Sequence, residues 1–110
     1  MKTDKLLSNY IKYLKFELAT NERYELDQTQ IRVLNEILFS YSQGREIKVG
    51  DILSNRDIAS QATSHAALKK LVAKKLISYL TVSDSRVKYL TITRLGHKRY
   101  QDLSKAAACA

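Results

Sequence analysis

Residues 77–93 read I-S-Y-L-T-V-S-D-S-R-V-K-Y-L-T-I-T, and this stretch decides the fold. Ile77, Tyr79 and Thr81 alternate with Ser78, Leu80 and Val82, the period that turns successive side chains to opposite faces of a strand. Ser83-Asp84-Ser85-Arg86 has turn chemistry, and Val87 to Thr93 alternates again, so the segment predicts a β-hairpin. Just upstream the period is helical. Ser60 has the chemistry of a helix cap, and Ala67, Leu68, Leu71 and Val72 share one face of a helix running to about Lys75. Gln61, Thr63, Ser64, His65, Lys69 and Lys70 are its polar positions. Downstream, Gly96 precedes a predicted helix of about ten residues, His97 to Ala106, and residues 106–110 form a tail expected to fray.

Towards the N-terminus, Leu7, Ile11, Leu14 and Leu18 recur at spacings of four, three and four, which predicts an amphipathic helix over residues 4–20. Such a stripe packs on its own domain or pairs with the same helix of a second chain. Residues 20–26 are polar and read as a connection. A second helix begins at Asp27, whose carboxylate is placed to cap the Gln30 N–H, with Gln30 as its capping-box partner and Leu26 and Ile31 as a hydrophobic staple. Ile31, Leu34, Ile37, Leu38 and Tyr41 form its predicted buried face, and Gly44 stops it. Ile47-Lys48-Val49 suits a brief strand and Gly50 to Asn55 a short helix. A helix capped at Ser54, with Asp57 as box partner, is an alternative register there.

The order is helix, helix, short strand, short helix, polar-headed helix, hairpin, helix. This predicts a single α+β, mainly helical domain over residues 1–110: a winged helix-turn-helix with a two-stranded β wing and a flanking N-terminal helix. Its core would span residues 26–96.

Charge separates along the chain. Residues 1–59 hold nine Lys/Arg and nine Asp/Glu, whereas residues 60–110 hold ten Lys/Arg against Asp84 and Asp102, so the whole net charge of +8 lies in the second half. Segregated basic charge favours a polyanion-binding face over a merely solvated one. The basic half lacks the aromatic-rich amphipathic helix of a membrane-surface binder. Lys5, Lys12, Lys15 and Glu17 interrupt the N-terminal apolar residues, which excludes a signal peptide or membrane span there. One cysteine, Cys109, allows no internal disulfide and is compatible with a reducing cytoplasm.

Enzyme chemistry is not encoded in any pattern. His65 and His97 stand far apart without a carboxylate cluster, and three isolated glycines make no phosphate loop, so neither metal, cofactor nor catalytic residues are expected. Double-stranded DNA is the expected partner. Ser60, Gln61, Thr63, Ser64 and His65 head the expected recognition helix, where Gln pairs with adenine edges and hydroxyls reach bases or phosphates; helix capping is the competing role of Ser60 and Thr63. Arg86 at the wing tip suits a narrow minor groove, with Asp84 orienting it; a solvated ion pair is the competing role. Lys69, Lys70, Lys74, Lys88, Arg94, Lys98 and Arg99 are candidate phosphate contacts, and Tyr79 and Tyr89 are expected to pack across strands.

Three stretches resemble the multiple-antibiotic-resistance-regulator (MarR) type of transcription factor. They are L-D-Q-T-Q-I-R-V-L at Leu26–Leu34, I-K-V-G-D-I at Ile47–Ile52 and D-S-R-V-K-Y-L-T-I-T-R-L-G at Asp84–Gly96. The resemblance implies a sequence-specific DNA-binding regulator that works as a homodimer. Three departures stand out. The turn between the two helix-turn-helix elements reads as about one residue long. Lys75 occupies a position where the family usually has Gly, and the chain reads as too short for the family's long C-terminal dimerisation helix, which also leaves a small-molecule effector open. The helix at residues 4–20 is the expected substitute at a dimer interface. The competing expectation is a winged-helix module for protein–protein assembly or for RNA or nonspecific nucleic-acid contact.

Overall fold

The computed structural model describes residues 5–81 and 87–109. Helices α1 (Lys5–Arg23) and α2 (Gln28–Ser42) precede β1 (Ile47–Lys48), α3 (Val49–Leu53), α4 (Gln61–Ala73), β2 (Ile77–Thr81), β3 (Lys88–Ile92) and α5 (Arg94–Cys109). The architecture is the expected mainly helical winged helix, with differences in detail. The hairpin is part of a three-stranded antiparallel sheet in the order β1-β3-β2. Ile47 pairs with Leu90 and Lys48 with Tyr89, while β2 pairs with the other edge of β3 from Ile77–Ile92 to Thr81–Lys88. A two-residue strand is stable here because it borrows an edge already formed by the hairpin.

One core joins the helices to the sheet. Val33, Leu34 and Ile37 of α2 meet Ile52 of α3, Ala67, Leu68 and Leu71 of α4, and Ile77, Leu90 and Ile92 of the sheet, with Ile58 and Leu76 from the connections. On α2 the buried face is rotated from the expected one: Val33 is fully buried and Tyr41 is 53% exposed. Tyr41 instead meets the edge of His97 on α5 at 5.2 Å, and His97 Nδ1 lies 2.5 Å from the Tyr100 hydroxyl.

Caps set the helix limits. Asp27 accepts from the Gln30 N–H at 2.8 Å, as its sequence position predicts. Gln30 itself is buried, and its Oε1 accepts from Lys74 Nζ at 2.7 Å, which ties the start of α2 to the end of α4. Ser54 ends α3 by donating to the Gly50 carbonyl, so the alternative helix start at Ser54 does not occur. Three helices, α1, α2 and α4, end on a residue of positive φ: Glu25 (56°), Gly44 (69°) and Lys75 (64°). At each, paired backbone bonds close the end. After α4, the Lys75 N–H reaches the Val72 carbonyl at 2.9 Å and the Leu76 N–H that of Leu71 at 3.1 Å, a Schellman motif. The position where the resemblance expects Gly is therefore left-handed, and Lys75 occupies it.

Both terminal helices outrun their predicted limits. Helix α1 continues to Arg23 because Thr20 and Asn21 are buried, and Asn21 Oδ1 accepts from Arg99 of α5 at 2.5 Å. Helix α5 starts before Gly96, with Thr93 Oγ1 accepting from the Gly96 N–H at 3.1 Å, and it runs through most of the expected tail. Among the described residues no helix is long and apolar enough to cross a membrane.

Candidate nucleic-acid interface

Helix α4 is held by its inner face. Ser64, Ala67, Leu68 and Leu71 are buried, which turns Ala62, Ala66 and Lys69 directly outward, flanked by Gln61 and His65 on one side and Thr63 and Lys70 on the other. All seven of these residues are exposed. Ser60 caps the helix: its Oγ accepts from the Thr63 N–H at 3.3 Å and donates to Thr63 Oγ1 at 2.9 Å. Both hydroxyls remain at the surface while engaged in this local pair.

Three expected contacts lie elsewhere. Ser64 is fully buried and its Oγ has no hydrogen-bond partner, so it belongs to the core side of α4 and cannot reach a groove without unfolding the helix. Arg99 is 4% exposed and lies between α5 and α1, where burial lowers its pKa against the opposing influence of Glu17, Tyr24 and Tyr13. Lys74 Nζ is bound to the Glu25 carbonyl and to Gln30. Sequence reasoning placed all three by charge or polarity, because the direction each side chain takes is set by packing. Lys98 is exposed but leans towards Asp102, 3.4 Å away on the same helix.

Lys69, Lys70, Lys88 and Arg94 are exposed. Lys88 Nζ stands 5.3 Å from the Tyr79 ring centre, a cation–π contact at the base of the wing. Asp84 and Arg86, the expected wing tip, lie outside the described residues. Two features went unread in the sequence. Ala62 and Ala66 are small residues at the centre of the outward face, visible only once the helical register is known. Arg56 is exposed in the turn before α4; it was hidden in a half of the chain whose charges cancel. Among the described residues no three His, Cys, Asp or Glu side chains are grouped to hold a metal ion.

No protein-family model matches the chain, and no curated protein matches it in sequence. Solved structures do match in shape. The MepR–DNA complex of S. aureus superposes with a TM-score of 0.67 at 20% identity, covering 94% of this chain and 82% of that one. A mutant MepR from a multidrug-resistant S. aureus clinical isolate gives the same TM-score of 0.67 at 20% identity, over 96% of this chain and 76% of that one. The transcriptional regulator Tm0710 from Thermotoga maritima gives 0.65 at 17% identity, over 96% of this chain and 75% of that one. MepR and Tm0710 are MarR-family winged-helix regulators, and this chain has their fold.

Proposed function

We propose that the protein is a cytoplasmic, sequence-specific regulator of transcription that binds double-stranded DNA as a homodimer. The observation that carries this reading is the outward face of α4, uncovered by the protein's own chain and edged with positive charge, on a fold for which MepR provides a DNA complex. Helix α4 would enter the major groove. Ala62 and Ala66 would let its backbone approach and would meet thymine methyl groups, while Gln61 and His65 would read base edges, Lys69 would meet a phosphate from the later turns of the outer face, and Ser60, Thr63 and Lys70 would meet bases or phosphates at its border. Lys88, Arg94 and Arg56 would hold phosphates, and Arg86 with Asp84 would probe the minor groove. Helix α1 would contribute to the dimer interface.

Selection of bound duplexes from a random pool, with a polyanion competitor present, tests the proposal. Recovery of a common two-fold sequence supports it; equal retention of all duplexes would instead favour a nonspecific or assembly module. On the selected site, Gln61→Ala should relax preference at one base pair, a loss of about 1–3 kcal/mol of discrimination. Lys69→Ala should weaken all sequences alike and make the logarithmic salt slope shallower by about one. With Lys69, Lys70, Lys88, Arg94 and Arg56 engaged, that slope would be roughly −4.5 per protomer.

A further inference from the structure

We infer that Lys74 is a positioning residue for base reading: held by the Glu25 carbonyl and the Gln30 side chain, it fixes the angle at which α4 presents its outer face, and it touches no DNA itself. This rests on the DNA-binding reading above and names the residue that sharpens its sequence preference.

Apolar packing seats α4 through Ala67, Leu68 and Leu71, but contact of this kind is non-directional and tolerates a small tilt. The hydroxyl on the same face, Ser64 Oγ, has no partner. Direction comes from Lys74, the half-buried C-cap of the helix. Its ammonium donates to the Glu25 carbonyl at 2.5 Å and to Gln30 Oε1 at 2.7 Å. Among the described residues these are the only side-chain hydrogen bonds that tie residues 60–74 to the rest of the chain, since Ser60 and Thr63 bond only each other.

Both acceptors are themselves fixed. Gln30 is buried, and its N–H is held by Asp27. Glu25 has a left-handed φ of 56° just past α1, where its N–H donates to the Glu22 carbonyl and the Leu26 N–H to that of Asn21, both at 2.9 Å. A cation at this point also meets the negative end of the α1 dipole. Lys74 therefore joins the end of α4 to the end of α1 and the start of α2. A charge that the sequence offers to phosphates is engaged inside the protein.

Distance gives the tie its leverage. The 13 residues of α4 span about 20 Å, so Lys74 and the base-reading head stand at opposite ends. A tilt of about 3° moves the head by about 1 Å, and a hydrogen bond of normal length does not survive that stretch. Phosphate attraction, which carries nonspecific binding, hardly changes over the same distance. The head also lies beyond the screening length of about 8 Å at physiological salt, so it does not feel the Lys74 charge directly.

Lys74→Met and Gln30→Met each remove one side of the tie, and only the first changes the charge. Affinities of both variants and of the double variant are measured across a salt series, for the selected duplex and for a scrambled one. Lys74→Met should lower the ratio of selected to scrambled affinity about tenfold and Gln30→Met at least about threefold, with the salt slope of the parent retained. The double variant should fall no further than Lys74→Met, because the two substitutions break one interaction. Loss of folded protein lowers both affinities alike and cancels in the ratio, which separates positioning from stability. An unchanged ratio overturns the inference, as does additivity of the two substitutions. A slope shallower by about one in Lys74→Met would make Lys74 a phosphate contact and overturn it too. A parent chain that prefers no duplex sinks the regulator reading itself, and this role with it.

Discussion

Gly96 approaches the backbone of Leu76 so closely that a Cβ on it would lie 2.3 Å from the Leu76 carbonyl oxygen and 2.7 Å from Ile92 Cγ2. The same junction is bonded through Thr93, whose N–H donates to the Leu76 carbonyl at 3.2 Å and whose hydroxyl donates to the Lys75 carbonyl at 2.5 Å. The start of α5 is thus fixed on the exit from α4. Gly96→Ala should destabilise the protein by about 2–3 kcal/mol, because the obstacle is backbone rather than a side chain able to swing away. Urea unfolding checks this; unchanged stability would mean that the two elements are not in this contact.

Lys75 should respond in the opposite direction. Its left-handed φ of 64° costs a side-chain-bearing residue roughly 1 kcal/mol that Gly avoids. Lys75→Gly is expected to stabilise the fold by about that amount, raising the melting temperature by roughly 4–8 °C. A lower melting temperature would contradict the Schellman geometry.

Ser64 separates core from groove. Its hydroxyl is buried without a partner, so Ser64→Ala removes a desolvated polar group and should leave stability equal or raise it by about 1 kcal/mol. Under the proposed DNA-binding reading, affinity and sequence preference in a titration with labelled duplex should be unchanged. A loss of base preference would show that the side chain contacts DNA after all.

Arg99 and Asn21 should behave as a coupled pair. Arg99→Met alone leaves the buried Asn21 carbonyl oxygen without its donor, at a cost of about 1–3 kcal/mol. Adding Asn21→Leu should recover most of that loss, since a packed apolar pair needs no desolvated charge. A double-mutant cycle that shows additivity would place the two residues out of contact.

Asp27 predicts an acid limit. The Gln30 N–H donated to its carboxylate holds its pKa below the ordinary value, more than offsetting burial, with the Gln30 side chain, Lys70 and Lys74 adding to the effect. The folded state therefore prefers the ionised form. This contribution is fully present above the unfolded pKa of about 3.9 and is lost as pH falls through the lower folded value. Asp27→Ala should cost about 1 kcal/mol at neutral pH, and the gap between variant and parent should close as pH falls through the lowered folded-state value. A constant gap across that range would count against the cap.

Elements whose signals are local were legible in the sequence alone. Alternation over residues 77–93 marked the hairpin, Asp27 and Ser60 marked two helix starts, and the one-sided charge marked the half that carries the basic face. What these signals lack is direction in space. Residues 1–59 carry balanced charge, yet Arg56 stands exposed in the turn before α4 while basic Arg99 is buried between α5 and α1. Ser64 reads as polar, yet packing turned it inward, and only the register of α4 brought Ala62 and Ala66 to the outer face. The limits of α1 and α5 were likewise decided in three dimensions. Asn21 and Arg99 are far apart in sequence, and the hydrogen bond between them exists only because packing brings the two ends of the chain together. Propensity and capping act over three or four residues, whereas burial sums over every element that arrives at the same place. That is why the polar-headed helix and hairpin were legible from the start, and why the side chains left free to meet a partner were not.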